Sequence, residues 1–157
     1  MKIKLIVVGK THKSFLLEGE QEYVKRMKKY ISFEKIEISD LKNAKNLTLN
    51  QIKQEEGQLI LSKLDKGAML VLLDEKGKEY TSVNFANWIQ SEMNRGHKSI
   101  NFVVGGAYGF SEEIYQIANQ KIALSKMTFS HQMVRLFFIE QVYRAYTILN
   151  NEPYHHE

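Results

Sequence analysis

The sequence predicts an α/β fold, a mostly parallel sheet flanked by helices, in one domain over residues 1–157. Three observations predict it. Five short apolar runs (3–8, 33–38, 68–73, 100–104 and 122–124) alternate with longer polar stretches of helical period, the grammar of repeated strand–helix units. Glycines follow two of the runs directly, Gly9 and Gly105-Gly106, at the strand ends where such sheets bind ligands. The only proline is Pro153, so nothing in the interior forbids continuous strands and helices.

Each element has its own signal. Ile3–Val8 is a β-branched apolar run stopped by Gly9, as a central parallel strand should be. From Phe15 to about Lys29 the residues Phe15, Leu16, Gly19, Tyr23, Met27 and Tyr30 share one helical face, and Lys25, Arg26, Lys28 and Lys29 give that helix a basic end. Such cations either suit the helix dipole as a solvated face or contact RNA. Phe33–Ile38 is a second strand and Ser39–Asn46 a polar loop. Thr48-Leu49-Asn50-Gln51 has capping-box form and opens a helix running to about Lys63. Ala68–Leu73 is a strand ending in a turn-rich loop, Asp74–Lys78. Ser82–Arg95 is a helix with Phe85, Trp88, Ile89 and Met93 inward, stopped by Gly96.

In the last third, Ile100–Val104 is a buried strand and Gly105-Gly106-Ala107-Tyr108-Gly109 a glycine turn. Ser111 is an N-cap with two carboxylates behind it, and Ile122–Leu124 is a short strand followed by the loop Ser125–Ser130. His131 to about Leu149 is the longest helix, with His131 and Arg135 on one face near its start and Glu140 and Arg144 as an i,i+4 brace. Its apolar residues occupy more than one stripe. It must therefore be buried on several sides, in a core or against a second subunit.

Composition narrows the function classes. With no cysteine, disulfides and thiolate metal sites are excluded, and a reducing cytoplasm is the expected location. No run reaches the roughly 18 apolar residues of a membrane span, and Met1-Lys2-Ile3-Lys4 enters a strand rather than a signal peptide. A net charge of +4 and a pI near 9.1 favour polyanionic partners such as RNA. The five histidines are scattered, without metal-ligand spacing, and no catalytic triad or paired carboxylates can be made out.

Two loops hold the remaining chemistry. The turn Gly105-Gly106-x-x-Gly109 lacks the spacing of a dinucleotide fingerprint or a phosphate-binding P-loop; it is a ligand loop or a plain tight turn. Ser125–Ser130 mixes hydroxyls, backbone donors, Lys126, Met127 and Phe129. That mixture suits an adenine ring, and equally a lead-in to the next helix capped by Ser130.

Taken together, Leu72-Leu73-Asp74, Val103-Val104-Gly105-Gly106-Ala107-Tyr108-Gly109, Leu124 through Arg135, Glu140-Gln141-Val142-Tyr143-Arg144-Ala145 and Pro153-Tyr154-His155 resemble the RlmH family, small methyltransferases of the SPOUT superfamily. The similarity runs the whole chain, from Val7-Val8-Gly9-Lys10 to the closing Tyr-His, which marks the terminal histidines as native. Many members have proline where Ser130 stands. The resemblance implies a C-terminal trefoil knot around an S-adenosylmethionine pocket, and a homodimer with its sites near the interface. It implies methylation of N3 of a pseudouridine in helix 69 of 23S rRNA, within the assembled 70S ribosome. Carried over by position, the cofactor contacts are Leu73, Gly105, Leu124, Ser125, Lys126, Met127, Thr128 and Phe129. Arg135, Tyr154 and His155 are expected to orient the substrate, with His155 a possible base and no metal involved. The rival readings are another small nucleotide-binding α/β protein and a non-catalytic, basic, ribosome-associated RNA-binding dimer.

Overall fold

The computed structural model describes residues 1–156. Its strands are β1 (Lys2–Val8), β2 (Ser32–Ile38), β3 (Met69–Glu79), β4 (Ser99–Val104) and β5 (Gln120–Ala123). The helices are α1 (Ser14–Met27), α2 (Leu49–Leu61), α3 (Ser82–Asn94), α4 (Glu112–Ile117) and α5 (Met133–Leu149). The strands form one sheet in the order β2-β1-β4-β3-β5, and every neighbouring pair is parallel. All five ligand-binding strand ends therefore lie along one edge.

Alternation along the central strands sorts side chains into two cores. Ile3, Leu5 and Val7 of β1 and Ile100, Phe102 and Val104 of β4 face α1, α3 and α5, packing with Phe85, Ile89, Phe138 and Val142. Ile6, Val8 and Val103 face the other side and pack with Ile60, Phe110 and Ile114 from α2 and α4. Burial on both faces is what the continuous apolar runs encode.

The caps at Thr48, Thr81 and Ser111 form, with each side chain accepting from a backbone N–H in the first turn. At Thr48 the Gln51 side chain reciprocates. Four expectations need correction. Ser39–Asn46 includes a short 3-10 turn at Ala44–Asn46. Phe15 is 63% exposed, because α1 turns Leu16 inward instead. The last helix starts at Met133, so His131 and Arg135 do not share a helical face: His131 is exposed and Arg135 is fully buried. The stretch 74–78 is not a plain turn, since strand β3 runs on to Glu79.

Two polar residues share the α2 side of the sheet, Lys4 and Asn101, both near the amino end of their strands. Lys4 Nζ donates to Lys63 O at 3.0 Å and Asp65 Oδ1 at 2.5 Å, while Ser99 Oγ and Asn101 Nδ2 donate to Asp65 Oδ2 at 3.0 and 3.3 Å. The Lys4 ammonium, helped by Ser99 and Asn101, holds the Asp65 carboxyl below the usual carboxylate range. A carboxyl depressed in the folded state stabilises above its unfolded-state pKa, and that contribution is lost as pH falls through the folded-state value. Asp65→Asn should lower stability at neutral pH by about 1–3 kcal/mol, the range for stranding a buried charged donor. It should also flatten the acid limb of a urea-denaturation pH series; an acid limb identical to wild type would assign that limb to other carboxylates.

Candidate functional site

A cavity of about 540 Å³ opens at the carboxyl edge, where β3, β4 and β5 end. That volume lies within the roughly 300–1,000 Å³ of small-ligand and cofactor pockets. Three segments wall it: Leu73–Lys76 from β3, Val104–Phe110 after β4, and Ile122–Ser125 with Met127–Phe129 after β5. His131, Val134 and Tyr115 complete the lining.

The β3 wall exists because the ladder breaks there. Leu73 and Lys78 both pair with Ile122 of β5, so the residues between them are pushed out of the sheet toward the cavity. Gly77 lets the chain return. A Cβ at this position would sit 2.5 Å from Ile122 N and 2.6 Å from Lys121 C, both backbone atoms that cannot step aside. Asp74 fixes the detour by accepting from Lys76 N at 2.8 Å and from the Tyr115 hydroxyl at 2.6 Å. Burial and this carboxylate push the Tyr115 phenol up to about 12, so it remains a donor. Thr128 Oγ1 donates to Glu75 at 2.9 Å, joining the two rims.

The glycine turn closes through Gly109 N to Gly106 O at 3.1 Å, with Gly109 at φ +82°. A Cβ on Gly106 would lie 2.6 Å from the Glu56 carboxylate on α2, so a larger residue there would have to move that side chain. In the loop after β5, Ser125 Oγ accepts from Met127 N at 3.0 Å, which turns the chain and leaves Met127 76% exposed. Ser130 caps the approach to α5, accepting from Met133 N at 3.1 Å.

Leu73, Gly105, Leu124, Ser125, Met127, Thr128 and Phe129 all line this cavity. Lys126 does not; its ammonium is exposed and lies 3.9 Å from Glu79. Sequence reasoning missed Asp74, Glu75 and Lys76 as wall residues. A glycine inside a charged run directly after an apolar strand was the available signal for a bulge.

Arg135 lies outside the cavity lining and is 0% exposed. Its guanidinium donates to Val8 O at 2.7 Å, Gly9 O at 3.0 Å, Thr11 Oγ1 at 3.1 Å and, through Nε, His131 O at 3.0 Å. Four of its five N–H groups are thereby used within the protein. Burial pulls its pKa down, opposed by the carboxylates of Glu20, Glu37 and Asp40. The expectation that Arg135 orients substrate gives way to a positioning role: it pins the turn after β1 to the start of α5.

The tail forms a separate cluster. Glu140 Oε1 accepts from Arg144 Nη2 at 2.6 Å and from the Tyr154 hydroxyl at 3.0 Å. Tyr154 also lies 3.2 Å from the Tyr23 hydroxyl and packs edge-on against Tyr143. Arg144 Nη1 approaches His155 Nδ1 at 3.2 Å. A guanidinium can only donate, so Nδ1 is the acceptor and a neutral ring carries its proton on Nε2. Burial, Tyr23 and Glu140 push the Tyr154 phenol up, keeping it protonated. Neither Tyr154 nor His155 lines the cavity of its own chain. From Val134 to Arg144 the helix rises roughly 15 Å, at about 1.5 Å per residue.

Among the described residues no group of three or more His, Cys, Asp and Glu is placed to hold a metal, and no helix is long and apolar enough to cross a membrane.

A parallel sheet whose carboxyl edge carries a cavity of mixed apolar and polar lining, closed by a glycine turn and a polar loop, is that of an α/β protein with a small-ligand pocket. Residues 1–155 match the family described as "Predicted SPOUT methyltransferase", and the chain belongs to that family. Its curated relatives include proteins named "Ribosomal RNA large subunit methyltransferase H". The one from Parabacteroides distasonis is 59% identical over 157 residues, covering 100% of both chains. Those from Flavobacterium johnsoniae and Phocaeicola vulgatus are 56% and 55% identical, each again over 100% of both chains. The resemblance read from the sequence is thereby borne out.

Two substitutions test this construction. Gly77→Ala should destabilise the protein by about 1–3 kcal/mol, the range for forcing extra atoms into a packed site, with the loss read by denaturant melts. Wild-type stability in Gly77→Ala would show that the ladder can separate without cost. Arg135→Met, close in length but without donors, should cost about 3–5 kcal/mol, as expected for breaking a buried charged network. A loss below about 1 kcal/mol would mean the β1 carbonyls find other donors.

Proposed function

We propose that this chain is an S-adenosylmethionine-dependent methyltransferase acting on N3 of a pseudouridine in helix 69 of 23S rRNA, on the assembled 70S ribosome. In this reading it works in the cytoplasm as a homodimer, with its C-terminal segment threaded as a trefoil knot. The observation that carries the reading is the cavity itself, which gathers seven of the eight residues assigned to the cofactor from three separate loops. The names of the full-length relatives support the class of substrate.

The donor set fits the cofactor. Leu73, Ile122, Leu124 and Phe129 give apolar walls for an adenine ring, the peptide groups of 124–129 suit its edge, and Asp74 and Glu75 supply acceptors for hydroxyl or ammonium groups. Gly105 and Gly106 let the main chain approach without a side chain intervening. When bound, S-adenosylmethionine supplies a methyl group on a cationic sulfur. The chain's own contribution is to hold the acceptor nitrogen in line with that methyl, a positioning effect that can supply much of the rate.

The tail is the second component. Tyr154 is kept protonated with its one O–H donated to Glu140, so it orients the tail, while Arg144 faces Nδ1 of His155, so a neutral His155 ring carries its proton on Nε2 and acts as a donor rather than as the base. Donors suit a uracil-like ring that becomes anionic when its N3 proton leaves to water. Because this cluster lies about three helical turns along α5 from its own cavity, a two-fold partner would have to bring its tail to the cavity of the first chain. Met133 and Phe137, each 41% exposed on α5, and Phe129 packed on Phe137 at 5.2 Å form the apolar face offered for that contact. The non-catalytic RNA-binding reading has no use for such a cavity.

The test is transfer of labelled methyl from S-adenosylmethionine to 70S ribosomes lacking the modification, beside isolated subunits and free rRNA. Label on one pseudouridine, with assembled particles alone, is the expected outcome. No transfer together with no cofactor binding in calorimetry would sink the reading. His155→Ala should bind cofactor normally and lose turnover by about 10²–10³-fold, the scale of removing one donor from developing negative charge; full turnover would remove His155 from the site. Mixing that variant with Gly105→Val, which blocks the cavity, should restore transfer if the tail acts across the dimer.

A further inference from the structure

The residues buried under the turn after β1 raise a question that the cofactor cavity does not answer. An arginine, a lysine and two glutamates are placed beneath a short stretch of chain, Gly9–Phe15, whose Thr11 points inward among them. Thr11 is 8% exposed; its hydroxyl donates to Glu20 Oε1 at 3.0 Å and accepts from Lys35 at 2.9 Å and from Arg135 at 3.1 Å. His12 N donates to Gln132 Oε1 at 3.0 Å, fastening the stretch to the residues just before α5. Gly9 turns the chain at φ +79°. Burying this much charge is costly, and it yields a rigid loop.

The outward face of the loop has the opposite character. Lys10, His12 and Lys13 are exposed and Phe15 is 63% exposed. No acidic residue occurs from Gly9 through Leu17. Neither lysine is ion-paired with any described residue; at the end of α1 and just after it, Arg26 and Lys29 are engaged by Glu22 and Glu152, while Lys25 and Lys28 have no described ion pair. Gln132, which holds His12, is next in the chain to His131, which is exposed and lines the cavity. The strip thus runs from the cavity rim outward, basic and aromatic by turns.

We propose that the loop Lys10–Phe15 is the RNA-docking element, in which Lys10 and Lys13 contact phosphates and His12 and Phe15 stack against unpaired bases, while Arg135 beneath it is a positioning residue. The proposal deepens the methyltransferase reading by naming the surface that takes the RNA. Phosphate contacts hold a strand and aromatic faces hold splayed bases without regard to pairing, which is how single-stranded loops are recognised. A loop fixed before binding loses little entropy when it docks. A chain entering along this strip reaches the cavity at His131.

The experiment compares wild type, Lys10→Glu/Lys13→Glu and Phe15→Ala as full-length proteins. Binding to unmodified 70S ribosomes is followed across a salt series, cofactor binding by calorimetry and oligomeric state by sedimentation. The charge variant should lose on the order of tenfold in ribosome affinity, and its slope of log K against log salt should fall by about 2, one for each phosphate contact removed. Phe15→Ala should lose on the order of tenfold with the slope unchanged, as stacking is not ionic. Cofactor affinity should be unaltered in both, which also shows that they are folded. Unchanged ribosome affinity and slope in the charge variant would overturn the proposal. A Phe15→Ala protein that dissociates yet binds ribosomes normally would overturn the stacking role and give Phe15 to a second copy of the chain. Ribosome binding through this loop without any methyl transfer by wild type would leave the docking surface standing and discard the methyltransferase reading.

Discussion

The buried guanidinium of Arg135 is the contact that joins the two halves of this molecule. Its partners are carbonyls of β1's end, at residues 8 and 9, and the hydroxyl of Thr11, more than 120 residues away in the chain. A charge without solvent is unfavourable unless its hydrogen bonds are met and counter-charges stand nearby. Glu20, Glu37 and Asp40 supply those counter-charges. The result is directional in a way an apolar contact could not be. Leucine at 135 would fill space, but it would not fix where the carbonyls after β1 point, nor how α5 starts relative to the sheet edge. Gly19, whose missing side chain leaves room for Leu136, lets α1 and α5 close over the same region.

The cavity depends on a second constraint, the failure of β3 and β5 to remain in register. A continuous parallel ladder past Leu73 would bring the backbone of 74–77 into the sheet and fill the space with main chain. Instead the chain leaves, presents Asp74, Glu75 and Lys76, and returns at Lys78 against the same Ile122. The return needs a residue without a Cβ, the detour needs Tyr115 and the Lys76 amide to occupy Asp74, and the opposite rim is tied by Thr128 on Glu75. Local chemistry at four residues therefore decides whether the sheet edge is a wall or a pocket.

The sequence made the fold legible where one physical effect dominates. Double-sided burial wrote Ile3–Val8 and Ile100–Val104 as largely apolar runs, broken only by Lys4 and Asn101, and caps wrote the starts of α2 and α4. Where two effects compete, the reading failed. The acidic stretch after Leu73 has turn composition, yet it is strand, because pairing with β5 resumes beyond it. His131 and Arg135 have helical spacing, but the backbone is not yet helical at His131, so one side chain meets water and the other the interior. Phe15 lies at the edge of the apolar stripe and falls on the wet side. Of the candidate site, the loop residues 124–129 were marked by their mixed chemistry and by family resemblance. Burial of Arg135 could not be read from residue type, since an arginine near a glycine turn is as easily a ligand contact as a buried tie.

That misreading has a physical lesson for the division of labour in this protein. Arginine is suited to both tasks for one reason: a rigid planar fork of donors that matches phosphate and backbone carbonyls alike. Here the fork is spent inward, and the exposed cations at the same edge are lysines, whose compact, well-hydrated charges bind phosphate without demanding one geometry. Arg144 repeats the pattern, its guanidinium held by Glu140 and lying 4.7 Å over the Tyr154 ring. Arg135 and Arg144 therefore set the positions of the loop after β1 and of the tail. In the proposed docking mode, contact with a polyanion is left to the exposed lysines and aromatics of the loop that Arg135 holds in place. A surface fixed in this way loses little to chain ordering when it docks, whereas a flexible one would forfeit the affinity that a few phosphate contacts provide.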